Sequence, residues 1–105
     1  MEQQEQILAA IIDAGELLLT SGAEVARVED TIRRMAKAYG FVRADVLTIT
    51  ASMVVTAQPP DGSPLTQTRR ITRRDTDMQR IEAVNELSRE VCRTPLPPGQ
   101  LRARV

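Results

Sequence analysis

Three groups of side chains in this chain of 105 residues have types and spacings suited to chemistry. The first is Glu24, Arg27 and Glu29, in the run Ser21-Gly22-Ala23-Glu24-Val25-Ala26-Arg27-Val28-Glu29. Carboxylates beside a guanidinium can move protons or clamp a charged ligand. The second is a set of hydroxyls, Thr48, Thr50, Ser52 and Thr56, answered by Thr66, Thr68, Arg70 and Thr72. Such a face accepts a small polar ligand, packs against another subunit, or is simply a β-prone solvent face. The third is Arg69-Arg70 with Arg73-Arg74. It reads as a solvated basic edge that deters edge-to-edge pairing, or, with membrane helices following, as a strip near anionic lipid.

The same residues limit the chemistry. The chain has no histidine, which excludes a Ser-His-Asp or Cys-His nucleophile pair and a histidine-ligated metal within it. Glu24 and Glu29 are five positions apart and diverge by about 140° on a helix, so they do not form a carboxylate pair. A hydrolase-like scheme using either one with a threonine hydroxyl is therefore poorly supported, and no catalytic residue, metal ligand or cofactor is assigned. Cys92 is the single cysteine, so no disulfide forms within the chain and a reducing compartment fits. Its apolar neighbours at a helix end mark it as a packing residue. Fourteen acidic and fourteen basic residues cancel, and only Tyr39 and Phe41 are aromatic, which argues against a nucleic-acid partner. All the basic residues but Lys37 are arginine, the better bidentate partner for carboxylates and phosphates.

Those groups must be positioned by a small set of elements. Ile7, Leu8, Ile11, Ile12, Leu18 and Leu19, with Ala14 and Gly15, predict a first helix over Glu2 to Thr20. Ser21 then reads as an N-cap and Glu24 as its partner in a capping box, with Gly22 turning the chain between helices. The second helix carries Val25, Val28, Ile32, Met35, Ala36 and Tyr39 on its inner face and ends at Gly40. Glu29–Arg33 and Asp30–Arg34 are surface pairs at i to i+4, contributing about 0.2–0.5 kcal/mol each. From Val46 to Ala57 the period becomes two. Leu47, Ile49, Ala51, Met53, Val55 and Ala57 fall on one side and the hydroxyls on the other. A bend or break near Ala51-Ser52 would give three strands rather than two, and both remain open. Residues 58–64 form a loop with Asp61-Gly62 as the turn, and Leu65 to Thr72 returns, with Leu65 and Ile71 opposite the threonines. Natural register joins the two hydroxyl faces into one surface.

Asp75 or Thr76 caps a third helix, Thr76 pairing with Gln79 in a second capping box. Its inner stripe is Met78, Ile81, Val84, Ser88, Val91 and Cys92, and Thr94 to Gly99 breaks it. Residues 1–93 thus form one α+β domain: two N-terminal helices, a small antiparallel β-hairpin or sheet, and a C-terminal helix packed on one sheet face. Residues 94–105 read as a proline-rich linker and the opening of a further, cut-off element. The acidic start Met1 to Glu5 is no signal peptide, and no apolar run approaches the roughly 20 residues that span a bilayer, so this stretch reads as soluble.

Taken in order, Leu17 to Glu24, Arg27-Val28-Glu29, the strand Ile49 to Ala57, Asp61-Gly62, Leu65 to Arg70, Arg74, Asp77-Met78 and Asn85 to Arg89 resemble the N-terminal domain of the threonine/serine exporter family. The resemblance implies that Gly22, Ala23, Glu24, Arg27, Glu29, Asp61, Gly62, Arg74 and Asn85 belong to a family signature. It implies a non-enzymatic cytoplasmic domain preceding transmembrane helices, at the inner membrane of a bacterium, in a protein exporting threonine, serine or similar small molecules. The expected partners are those helices, in the same or a cooperating protein, or a second copy of the chain. A regulatory or assembly role follows. The alternative is a sensor in which Arg27 or Arg70 meets an amino-acid carboxylate, Glu24 its ammonium group, and Thr50 or Thr68 its hydroxyl.

Overall fold

Helix α1 (Glu2–Thr20) is the axis of the core. Ile7, Leu8, Ala10, Ile11, Ile12, Ala14, Leu18 and Leu19 are all buried, on more than one face of the helix, because neighbours pack around it. The computed structural model describes residues 2–49, 51–71 and 77–105. Gly15 is where α1 meets helix α2 (Val25–Ala38) most closely. A Cβ built there would lie 2.5 Å from Ile32 Cδ1 and 2.8 Å from Cγ1, so any side chain at this position forces Ile32 to shift.

The link between these helices differs from the expected capping box. Ser21 still donates its backbone N–H to the carbonyls of Leu17 and Leu18, so it belongs to the end of α1, and it is fully buried. Gly22 takes φ 102°, and two bonds close the helix, Gly22 N–H to Leu19 O and Ala23 N–H to Leu18 O. That is a Schellman closure, which requires a left-handed residue that glycine supplies without strain. Helix α2 therefore starts at Val25. Glu24 occupies the N-cap position, and its side chain makes no capping bond. The far end of α2 closes in the same way at Gly40, with Phe41 N–H bonded to Ala36 O. Val28, Thr31, Ile32, Met35 and Ala36 form its buried stripe, whereas Val25, at the first position, is 39% exposed.

Three strands follow, β1 (Arg43–Ile49), β2 (Ser52–Gln58) and β3 (Leu65–Arg70), as an antiparallel sheet in the order β1-β2-β3. The break near Ala51-Ser52 is real: Ile49 pairs with Ser52 across residues 50 and 51. A two-residue connection puts its flanking residues on the same face, so the alternation changes phase there. Met53, Val55 and Ala57 point inward as expected, but on β1 the inward residues are Ala44, Val46 and Thr48. Leu47 and Ile49, expected inside, are 55% and 57% exposed. A single alternation carried through the turn assigned β1 to the wrong face.

Helix α3 (Met78–Arg93) is capped by Asp77, whose carboxylate accepts the backbone N–H of Arg80 at 3.0 Å. The expected caps, Asp75 and Thr76, lie outside the described residues. Its buried stripe is Ile81, Val84, Leu87, Ser88 and Val91. Met78, in the first turn, is 61% exposed, and Cys92, one residue round from Val91, is exposed rather than packed. Leu87 takes the inward place instead. A last helix, α4 (Pro98–Arg104), begins with proline in its first turn and seats Leu101, fully buried, against the core beside α1. Arg104 Nη1 donates to Glu90 Oε2 at 2.7 Å, fastening it to α3. Helices α1 and α2 cover the inner face of the sheet, α3 lies behind them, and among the described residues no helix covers the outer face.

Candidate functional site

The residues singled out in the sequence occupy two regions. The first is the end of the molecule where α1 hands over to α2. Ser21 O accepts the backbone N–H of Asp77 at 2.8 Å, and Ile71 N–H donates to Ala51 O at 2.7 Å. The first bond sets the entry to α3 at the Ser21–Glu24 link, and the second sets the residue after β3 at the β1–β2 turn. Ala23 packs against the core, while Glu24 and Arg27 are exposed and Glu29 is half-buried. Of the two expected surface pairs, Asp30–Arg34 forms at 2.9 Å, whereas Glu29 and Arg33 do not pair. Thr50 and Thr72, expected on the hydroxyl face, and Arg74 lie outside the described residues.

The second region is the outer sheet face. Register sets Leu47, Val54 and Thr68 in one row, Ile49, Ser52 and Arg70 in the next, and Asp45, Thr56 and Thr66 in a third. Thr56 Oγ1 and Thr66 Oγ1 share a hydrogen bond of 2.9 Å, so the hydroxyls of β2 and β3 do form one surface. Thr68 and Arg70 stand exposed on it. Thr48 does not: it faces inward, with its Oγ1 buried and without a partner among the described residues. Leu47 and Ile49 take its place, so the three rows hold three aliphatics and four hydroxyls beside Asp45 and Arg70. Glu24 is the N-cap of α2 and Arg27 lies in its first turn, and α2 packs on the opposite side of β1, so the four described ligand candidates do not converge on one surface.

Neighbouring arginines divide across the sheet. Arg70 is exposed on the outer face, whereas Arg69 turns inward and donates to Asp13 Oδ1 at 3.2 Å, with Glu16 at 3.8 Å. The expected solvated basic edge therefore does not include Arg69, which ties β3 to α1; Arg73 and Arg74 lie outside the described residues. Asp61 is exposed in the β2–β3 loop, where Gln58 Nε2 donates to Gly62 O at 2.9 Å, and Asn85 is half-buried on α3.

A further concavity lies between α2 and α3, lined by Arg34, Lys37 and Ala38 on one side and Glu86, Ser88, Arg89, Cys92 and Arg93 on the other. It was not anticipated from the sequence. Its only trace there is cations three and four residues apart on each helix, Arg34 with Lys37 and Arg89 with Arg93. Arg89 donates to Glu86 Oε2 at 2.8 Å and holds that carboxyl below the usual carboxylate range, the charges of Arg93 and Arg104 acting the same way.

Among the described residues no helix is long and apolar enough to cross a membrane, and no group of three or more histidine, cysteine, aspartate or glutamate side chains is arranged to hold a metal ion. Comparison with curated proteins and with solved structures yields no match. The ordered stretches from helix α1 to the last helix nevertheless have a counterpart: residues 9–105 match the family model described as putative threonine/serine exporter, and the chain belongs to that family.

Proposed function

We propose that this chain is a regulatory or assembly module of a threonine/serine exporter, seated at the cytoplasmic face of the membrane and engaging the membrane helices of the same or a partner protein. The observation that supports this reading is the outer face of the sheet. A three-stranded sheet with helices on one side leaves its other side to water, and here that side carries Leu47 and Ile49, more than half exposed, beside Val54. Exposed large aliphatics clustered on one face mark an interaction surface more often than isolated ones do. The test is export of threonine by cells carrying the full-length protein, with the domain intact, with the domain deleted, and with Leu47→Glu and Ile49→Glu together. Loss of export in both altered forms is expected. Unchanged export after deletion would remove any functional role for the domain.

A second reading is a sensor for a small amino acid. Arg70 supports it, standing in one row with Ser52 and two residues from Thr68 on the same exposed face. Its guanidinium suits a carboxylate and the hydroxyls a polar side chain. Glu24 and Arg27 would contribute nothing to a site on that face. Calorimetry with threonine and serine tests it, with Arg70→Gln as the control that should abolish the heat; a silent titration at millimolar ligand would remove it.

A further inference from the structure

We propose that the cleft between α2 and α3 binds a phosphate-bearing anion, held by Arg34 and Lys37 from α2 and by Arg89 and Arg93 from α3. The inference goes beyond the exporter reading and stands whether or not the outer sheet face is an assembly surface.

Charge is the first argument. Four cations line the cleft against one carboxylate, Glu86, in a chain whose net charge is zero. The excess is therefore local and not a consequence of composition. It is also unfavourable for the fold by itself: Arg89 and Arg93 are like charges at i and i+4, an arrangement that destabilises a helix, and α2 sets two more cations opposite them. Asp30 offsets Arg34 and Glu86 offsets Arg89. Among the described residues Lys37 and Arg93 are within ion-pair distance of no carboxylate. A neighbouring concavity shares Lys37 and adds Arg33 and Arg43, so the positive lip continues toward β1.

Shape and wall chemistry are the second argument. The cleft is an open concavity of about 730 Å³, a volume within the range of roughly 300–1,000 Å³ in which small-molecule sites fall. Ser88 lines it while only 8% exposed, and its hydroxyl takes part in no side-chain hydrogen bond among the described residues. A hydroxyl so placed is a donor for an oxyanion. Ala38 and the Cys92 side chain give the wall an apolar portion.

Both arguments favour phosphate over a carboxylate or a zwitterion. A monocarboxylate neutralises one of the surplus charges, and an amino acid, with no net charge, neutralises none. A phosphate group carries close to two negative charges at neutral pH and three acceptor oxygens, which match arginine forks from two directions. A phospholipid surface offers phosphate oxygens as well: each phosphatidylglycerol headgroup, a phosphodiester, carries one negative charge, and neighbouring headgroups in the bilayer supply the rest.

The test uses the whole 105-residue chain in three binding experiments: inorganic pyrophosphate by calorimetry, vesicles of phosphatidylcholine with and without phosphatidylglycerol by co-sedimentation, and polyglutamate. Each is repeated on Arg34→Gln/Arg89→Gln and on a control with the same charge change elsewhere, Arg80→Gln/Arg102→Gln, with circular dichroism verifying that both remain folded. Saturable pyrophosphate binding that weakens about tenfold or more in the cleft variant, and not in the control, supports a soluble phosphate ligand. Binding only to phosphatidylglycerol vesicles, with the same dependence, supports a headgroup. The proposal is overturned if neither phosphate probe binds, if the control weakens as much as the cleft variant, or if polyglutamate alone is captured through these residues, which would mark an acidic protein surface as the partner instead.

Discussion

At the scale of single residues, function and structure separate within one dipeptide. Arg69 and Arg70 have the same chemistry, but strand parity sends one inward to Asp13 and Glu16 and the other outward to solvent. Arg69→Ala should therefore cost about 1 kcal/mol, the usual contribution of a charged hydrogen bond discounted for partial exposure. Arg70→Ala should change stability by no more than about 0.5 kcal/mol. Urea titration of both variants checks this, and equal effects would contradict the register. Tyr39 gives a second residue-level test. Its hydroxyl donates to Leu96 O at 2.8 Å, and burial pushes its pKa above the ordinary value. A group whose folded pKa lies above its unfolded one adds stability that is complete below the unfolded value, about 10 for tyrosine, and is lost as pH rises through the folded one. Because the chain has a single tyrosine, phenolate absorbance reports this side chain alone. Its midpoint should lie above about 10 in the folded protein and return to about 10 in concentrated urea.

At the scale of elements, stability rests on how helices end and approach one another. Asp77 caps α3 by accepting from Arg80 N–H, while its own N–H reaches back to Ser21 O and so couples the start of α3 to the end of α1. Asp77→Ala removes the side-chain cap and leaves the backbone bond, so a loss of about 1 kcal/mol is expected, or about 4–8 °C in a domain of this size. Gly15 tests the α1–α2 contact. Alanine in an exposed helix would be better than glycine by about 0.5–1 kcal/mol. At this position a Cβ runs into Ile32, which is fully buried and must displace its core neighbours to make room. Overpacking costs about 1–3 kcal/mol, so Gly15→Ala should be net destabilising in calorimetry. A stabilised variant would mean that the helices separate more easily than their packing implies. Most of this level was legible from local signals: apolar periodicity located α1, α2 and α3, and glycines marked the helix ends. The capping box at Ser21 failed because a Schellman closure and an N-cap use overlapping residue types. Which of them forms depends on where α1 releases its last backbone bond.

At the scale of the whole molecule, the fold distributes its surfaces by sidedness. The helices gather on one face of the sheet, leaving Leu47, Ile49, Thr68 and Arg70 on the other. The α2–α3 cleft opens on the helical side. The proposed assembly surface and the proposed phosphate site thus lie on different sides of the molecule, and substitutions in one should leave the other unaffected. Leu47→Glu/Ile49→Glu should retain the pyrophosphate affinity of the parent chain, and Arg34→Gln/Arg89→Gln should retain threonine export in the full-length protein. Assaying both variants for both properties distinguishes one shared surface from two.

The amino-acid sequence alone determined the order of elements and most of their boundaries, because helical and strand periodicity, helix-ending glycines and breaking prolines act over a few residues. It also determined the family, through ordered stretches whose recognition needs no contact between them. Tertiary structure decided what depends on distant partners. The two residues between Ile49 and Ser52 reversed the phase of β1, bringing Thr48 in and turning Leu47 and Ile49 out. Docking of α3 on α1 and α2 chose Leu87 over Cys92 as the inward residue. The basic cleft exists because Arg34 and Arg89, 55 positions apart in the chain, are carried by helices that pack side by side. Periodicity reports which residues share a face of one element; which faces meet is settled only when the elements bury each other.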